Sequence, residues 1–430
     1  MNIQHLYSIF QESAGIQTDT RKLQSGELYI ALKGENFDGN KFVEQALKAG
    51  AIACITDAQE HRSNSRIIKV EDSLQTLQQL ANFHRQQFSI PVIGITGSNG
   101  KTTTKELVAA VLETTFNTHF TQGNFNNHIG VPLTLLEMPM DTEIAIIEMG
   151  ANHVGEIHDL CRIVAPNYGL ITNIGKAHLE GFGSMKGVIK AKGELFDFIK
   201  ENNGKICINE DDKVLMSMLG IYPIRFGFSG NRSSDLSGNI VSTNPTISIE
   251  VKDDSGSVKI ETQLTGTYNF ANVMAAVAFG RILNIPLSII KSAIEVYVPS
   301  MNRSQVISKK NNTIILDAYN ANPTSMLAAI ENLKINEATK KVAILGDMLE
   351  LGNESEKEHL SLARSIQECG SIDLILVGEL FEPVAAELKI RHYKDVSDLR
   401  EKQPLDSFVQ STILIKGSRK IELEKYLEKR

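Results

Sequence analysis

The feature that most constrains this chain is a glycine-rich loop, Gly94-Ile-Thr-Gly-Ser-Asn-Gly-Lys-Thr-Thr-Thr ending at Thr104, which follows the apolar residues Val92 and Ile93. Glycines let backbone N–H groups converge on phosphate oxygens, Lys101 offers a point charge to the outer phosphates, and the Thr102 hydroxyl can join a Mg²⁺ shell. Downstream, Leu107, Val108, Val111 and Leu112 recur at helical spacing, and Phe116 extends the stripe. Strand, loop and helix in that order are the setting a phosphate cradle requires, so the segment predicts an ATP or GTP site within an α/β layer.

At 430 residues the chain is too long for one ordinary core and should divide into about three domains. Apolar runs alternate with helical patterns nearly throughout, as in α/β folds. A first unit, 1–85, carries a strand at 28–32, a helix at 41–48 stopped by Gly50, and a strand at 51–56. A central unit, 86–299, carries the phosphate loop, an apolar run 144–147 closed by Glu148, and Leu170-Ile171 leading into Thr172-Asn173. A polar interval at 229–263 reads as short antiparallel strands with a structural role. In the third unit, 300–430, apolar runs end at Asp317, at Gly346-Asp347, at Gly378 and at Lys416-Gly417-Ser418. Ligands of open α/β sheets sit outside the carboxyl ends of strands, so these tails mark a binding edge.

The net charge of -7 gives no electrostatic reason to expect a nucleic-acid or acidic-membrane partner. Four widely spaced cysteines without a C-x-x-C pair argue against a disulfide framework or a zinc site. No apolar stretch approaches the roughly eighteen residues of a membrane span and the N-terminus lacks a secretory pattern, so a cytoplasmic protein is expected.

Glu148, at the end of a buried run, suits a Mg²⁺ ligand or, more plainly, a cap for the next turn. His178 by itself reads as an ordinary half-buried histidine. Lys192, in the segment 190–196, reads as solvated surface near the start of an amphipathic helix. The amide-rich loop 121–130, with Asn124, Asn126 and Asn127, and the segment 317–323, with Tyr319, Asn320 and Asn322, can grip a polar ligand or simply form turns.

Taken together, several strings resemble the Mur ligases, ATP-dependent amide-forming enzymes of cell-wall precursor synthesis. They are Asp19-Thr-Arg21, Thr96-Gly-Ser-Asn-Gly-Lys-Thr-Thr-Thr-Lys105, Gly123-Asn-Phe-Asn-Asn127, Gly130-Val-Pro-Leu-Thr134, Glu148-Met-Gly150 and Ala177-His178. Further along stand Asn209-Glu-Asp211, residues 269–272, Asp317-Ala-Tyr-Asn-Ala-Asn-Pro323, Gly346-Asp-Met-Leu-Glu-Leu-Gly352 and Lys416-Gly-Ser-Arg419. The resemblance implies three α/β domains: one for a UDP-linked substrate, a central parallel-sheet P-loop ATPase domain, and a C-terminal Rossmann-like domain. It implies ATP and two Mg²⁺ ions as cofactors.

The strings at 319–323 and 346–352 imply UDP-N-acetylmuramoyl-tripeptide and D-alanyl-D-alanine as substrates, joined through an acyl phosphate by a monomer that needs no membrane anchor and no nucleic acid. By the same resemblance Asp19, Thr20 and Arg21 would lie at the uridine-diphosphate end. Gly97, Ser98, Asn99, Gly100, Lys101, Thr102 and Thr103 would hold the ATP phosphates, with Asn272, Arg303 and Asp317 near the adenine and ribose. Lys101, Glu148, His178 and Lys192 would be catalytic, and Thr102, Glu148, His178 and a carbamylated Lys192 would hold metal. Asn124, Asn126, Asn127, Tyr319, Asn320 and Asn322 would face the substrates. The nearest rivals are another ligase of the superfamily, which adds the third residue or extends folylpolyglutamate, and a nucleotide switch. The chain has neither an Asp-x-Asn-Pro-Arg nor an Asn-Lys-x-Asp string.

Overall fold

A computed structural model of the chain describes residues 2–60, 64–231, 234–299 and 302–428. The expected junction at residue 300 lies outside the described residues. Three main sheets are present, and their strands form where the apolar runs stand. The first contains β1 (Ile16–Gln17), β2 (Leu28–Ile30), β3 (Ala53–Thr56) and β4 (Ile67–Lys69), all parallel and in chain order.

The central sheet contains β5 (Val92–Thr96), β6 (Thr118–Phe120), β7 (Ile144–Glu148), β8 (Tyr168–Ile171), β9 (Lys205–Asn209), β10 (Arg225–Ser229), β11 (Leu236–Ser242), β12 (Ser248–Asp253) and β13 (Gly256–Glu261). Their spatial order is β13-β12-β11-β10-β9-β8-β5-β7-β6. It is parallel from β6 to β11 and antiparallel across β11, β12 and β13, where the sequence predicted short antiparallel strands.

The third sheet contains β14 (Gln305–Lys309), β15 (Asn312–Asp317), β16 (Lys341–Gly346), β17 (Asp373–Val377), β18 (Arg391–Tyr393) and β19 (Thr412–Lys416). Its order is β14-β15-β19-β16-β17-β18, with only β14 antiparallel.

Every residue of β5 and of β7 is buried, as in parallel strands covered on both faces. Alternation then divides the core. Ile93, Ile95, Ile144 and Ile146 face helices Lys101–Leu112 and Asn269–Ile282, whereas Val92, Ala145 and Ile147 face a core that also contains Leu28, Ile55, Leu77 and Leu80 of the first unit. The first and central sheets thus share one hydrophobic core. Phe116 lies beyond the end of helix Lys101–Leu112, because the helix stops at Leu112, and it packs on the core from the following turn.

Helix Ser73–Arg85 is the joint between these sheets. Asn82 Nδ2 donates to the carbonyls of Arg162 and Ile163 at 2.9 and 3.0 Å. Buried Arg85 donates from Nε to Val164 O at 3.0 Å and from Nη2 to Ala165 O at 3.2 Å, with a third bond to Phe88 O at 2.9 Å. Two side chains of one helix therefore satisfy the terminal carbonyls of helix Glu156–Val164, which would otherwise be buried without partners. Arg85→Leu should destabilise the chain by about 3 kcal/mol, since it strands several buried carbonyls. The check is the first unfolding midpoint in urea; an unmoved midpoint would show that the joint carries no stability.

Candidate active site

The phosphate loop joins β5 to helix Lys101–Leu112, and two of its glycines are required by close approach. Gly97 has φ 146°, and a Cβ there would meet Thr172 Oγ1 at 2.0 Å; Gly100 has φ 78°, and a Cβ would meet Asn272 Oδ1 at 2.6 Å. The tail of the adjacent strand β8 pins the loop. Ser98 N–H donates to Asn173 O and Asn99 N–H to Asn173 Oδ1, both at 3.0 Å, and Thr172 Oγ1 donates to Asn99 O at 2.6 Å. Lys101 Nζ donates to Gly97 O at 2.7 Å. Enclosure of its ammonium end pushes Lys101 below the ordinary lysine range, opposed by Glu148.

Glu148 ends β7 with 1% of its surface exposed. Its carboxylate accepts from Thr102 Oγ1 at 2.8 Å and from Asn126 Nδ2 at 2.7 Å, and its N–H donates to Thr121 Oγ1 at 3.0 Å. Lys105, equally buried, donates to Thr121 O at 2.7 Å from beneath. A buried carboxylate with only neutral hydrogen-bond donors, beside a threonine hydroxyl, is an oxygen set that suits a small hard cation.

The third sheet supplies the opposite wall. Lys416 at the end of β19 pairs with Asp317 at the end of β15 at 2.6 Å and donates to Asn320 O at 3.1 Å. The Arg303 guanidinium lies 3.6 Å from the centre of the Tyr319 ring, and Arg419 lies at 5.3 Å from it. Asn322 caps helix Pro323–Ile335 and donates to Asn99 Oδ1 at 2.7 Å, tying the two walls together.

Between the walls is a cavity of about 570 Å³. Of the residues singled out in the sequence, Ser98, Asn99, Gly100, Lys101, Thr102, Thr103, Asn124, Asn126, Asn127, Glu148, His178, Asn272, Arg303, Asp317, Tyr319 and Asn320 line it. Asp19, Thr20 and Arg21 do not. Arg21 instead holds Asp19 in an ion pair with side-chain bonds at 2.7, 2.9 and 3.2 Å, which pulls the Asp19 carboxyl down to about 2. Gly97 and Asn322 stand just behind the lining.

Lys192 requires a correction. It is neither solvated nor near a helix start: the helix is Met185–Glu201, and Lys192 is 1% exposed in its middle. It lies on the stripe of Val188, Leu195 and Ile199, which are all buried. Its amine donates to Ala151 O at 3.3 Å, behind the cavity wall, and burial, reinforced by Lys101, pushes it down to about 7.

Sequence reasoning gave no role to Glu350, Ser304, Thr324 or Glu156, which also line the cavity. Glu350 approaches His178 at 2.6 Å, and that ring holds its carboxyl below the usual range. Among the described residues no group of three or more His, Cys, Asp or Glu forms a metal cluster, and no helix is long and apolar enough to cross a membrane.

Three family descriptions match the chain: "Mur ligase family, catalytic domain" over residues 12–85, "Mur ligase middle domain" over 95–280, and "Mur ligase, glutamate ligase domain" over 302–419. The UDP-N-acetylmuramoyl-tripeptide--D-alanyl-D-alanine ligase of Bacillus subtilis is 39% identical, covering 96% of this chain and 92% of the relative. That of Escherichia coli is 36% identical, covering 95% and 92%. Among solved structures, MurF from Acinetobacter baumannii has a TM-score of 0.87 at 31% identity, covering 99% of this chain and 97% of that one. MurF ligase from Thermotoga maritima in complex with ADP has a TM-score of 0.86 at 28% identity, covering 97% of each.

The contact at Gly97 yields a prediction. Gly97→Ala should weaken binding of a fluorescent nucleoside triphosphate at least about tenfold, because the added methyl displaces Thr172 from the loop it pins. Titration alongside far-UV circular dichroism checks this; full affinity in a folded variant would refute it.

Proposed function

The chain belongs to the Mur ligase family, and we propose that the cavity between its central and third units is where it joins D-alanyl-D-alanine to UDP-N-acetylmuramoyl-tripeptide, driven by ATP. The observation that carries this reading is that one cavity is lined both by the phosphate loop, residues 98–103, and by Asp317, Tyr319 and Asn320 of the third unit. The first feature suits a triphosphate, the second an amide-bearing substrate. The product is the UDP-muramoyl-pentapeptide of peptidoglycan precursor synthesis. In this reading residues 1–85 bind the UDP end, 86–299 the ATP, and 300–430 the dipeptide and part of ATP, in a cytoplasmic monomer.

A carboxylate is a poor electrophile. Transfer of the γ-phosphoryl group of ATP to the tripeptide carboxylate gives ADP and an acyl phosphate. The dipeptide's ammonium gives one proton to solvent, and the freed amine attacks the carbonyl carbon. Phosphate leaves with the electron pair of the C–O bond that joined it to that carbon, and the nitrogen's surplus proton goes to solvent. The chain's part is to position and to offset charge. Lys101 meets the outer phosphates, the loop N–H groups orient them, and Asn126 and Asn127 hold the peptide end. Thr102, Glu148 and His178 are the groups that would hold Mg²⁺, and the metal would neutralise phosphate charge when bound.

Lys192 would join them as a carbamate. With its amine titrating near 7, the lone pair is free above neutrality to attack CO₂, forming the N–C bond and releasing one proton.

The reading is tested by incubating the protein with ATP, UDP-N-acetylmuramoyl-tripeptide and D-alanyl-D-alanine. Phosphate release should need both substrates and yield the pentapeptide; nucleotide binding without turnover would overturn it. Lys101→Ala should lower kcat/KM by about 10² or more with the fold intact. Lys192→Ala should lose activity and regain part of it with added short carboxylates. With ¹³CO₂ the wild type should show a carbamate carbon resonance that strengthens as pH rises through about 7 and is missing from the variant. A resonance that persists in Lys192→Ala would place the carbamate elsewhere.

A further inference from the structure

Four carboxylates line the cavity, and three are committed: Glu148 to Thr102 and Asn126, Glu156 to the N–H groups of Asn152 and His153, and Asp317 to Lys416 and Ser304 N–H. The fourth, Glu350, meets the His178 ring alone among the described side chains, Oε2 to Nδ1 at 2.6 Å, and keeps 53% of its side chain exposed.

Its backbone is one of twelve non-glycine positions with positive φ among the described residues. Glu350 has φ 65°, in the left-handed region that favours glycine. Fixed neighbours hold it there. The N–H groups of Asp347, Met348 and Leu349 donate to Val377 O, His359 Nε2 and Ser418 Oγ at 3.1, 3.0 and 3.0 Å. Met348 and Leu351 are buried on either side, and Glu350 O accepts from Glu180 N–H of the central unit at 3.3 Å. A non-glycine residue held in this region by so many constraints points to a role for its side chain.

That side chain reaches from the third unit across to His178 of the central one, within charge range of Lys420 of its own unit and, less strongly, of Lys101, neither of which forms an ion pair with it. An amine substrate arrives as an ammonium ion and needs a counter-charge on the wall facing the phosphate loop. The approach of the His178 ring nitrogen to 2.6 Å marks where the nitrogen of a cationic group fits against this carboxylate. We propose that Glu350 is the residue that binds the ammonium group of the incoming D-alanyl-D-alanine, which rests on the ligase reading above.

The test compares wild type with Glu350→Gln, which keeps the shape, and Glu350→Gly, which relieves the backbone. The KM for D-alanyl-D-alanine should rise at least about tenfold in both, while those for ATP and the UDP-tripeptide stay within about twofold. The Tm of Glu350→Gly should equal or exceed that of wild type. N-acetyl-D-alanyl-D-alanine, which lacks the ammonium group, should inhibit wild type and Glu350→Gln equally. A dipeptide KM within about twofold of wild type in both variants, or a parallel rise of all three KM values, overturns the assignment. Failure of the wild type to consume the dipeptide at all would instead overturn the ligase reading.

Discussion

The buried carboxylate of Glu148 is the constraint on which the site depends. A charge with 1% exposure is costly to bury unless every lone pair has a partner and a cation is near. Meeting that condition recruits the start of helix Lys101–Leu112 through Thr102 and the amide loop through Asn126, while the Glu148 backbone N–H separately donates to Thr121 Oγ1 just after β6. Two lysines bracket it. Lys101 closes the phosphate loop above, and Lys105, lowered by burial but favoured by Glu148 and Glu106, holds the Thr121 carbonyl below. One residue thereby ties together three segments far apart in the chain, two through its carboxylate and one through its N–H, and the phosphate loop is oriented by them.

The units are joined in two different ways. The first and central sheets share an apolar core and a helix terminus whose carbonyls are filled by Asn82 and Arg85. The third sheet meets the central one mainly through polar pairs, Asn99 with Asn322, Lys176 with Glu358, and Tyr268 with Ser304, with Leu179 as a small apolar contact that packs on the cores of both. Polar pairs exchange their partners for water at small net free energy, whereas separating an apolar core does not. Opening of the cavity to admit substrates therefore falls between the central and third units. Water is excluded from the acyl phosphate when the same pairs re-form.

Much of this was legible in the sequence because burial on both faces leaves uninterrupted apolar runs. β5, β7, β15, β16, β17 and β19 all stand where such runs occur, and the loop after β5 and the ends of β7, β15 and β19 line the cavity. Lys192 was misread for a local reason. Reading the helix from residue 190 set it among Lys190 and Glu194, whereas a start at Met185 puts it in the 188, 192, 195, 199 stripe, on the buried face. The string 346–352 marks the segment of Glu350, but its place against His178 is not legible, since it depends on a left-handed backbone and on a loop from one unit crossing to another.

Both walls of the cavity carry mixed charge, Glu148 and Glu156 standing beside Lys101 on the central one, and the placement of that charge bears on the order of events. On the central wall the cationic group is Lys101, at the phosphate loop, while on the third wall Lys416 is largely neutralised by Asp317 and Arg303 is stacked on Tyr319. Glu350 is the carboxylate there with its charge uncommitted to a lysine or arginine partner. Lys101 at the phosphate loop and Glu350 across from it thus offer phosphates and a cationic amine separate anchors within one cavity. Closure of the polar interface then brings the amine toward the activated carbonyl without requiring the phosphates to leave their loop. The charge separation that selects the two reactants also sets the direction from which they meet.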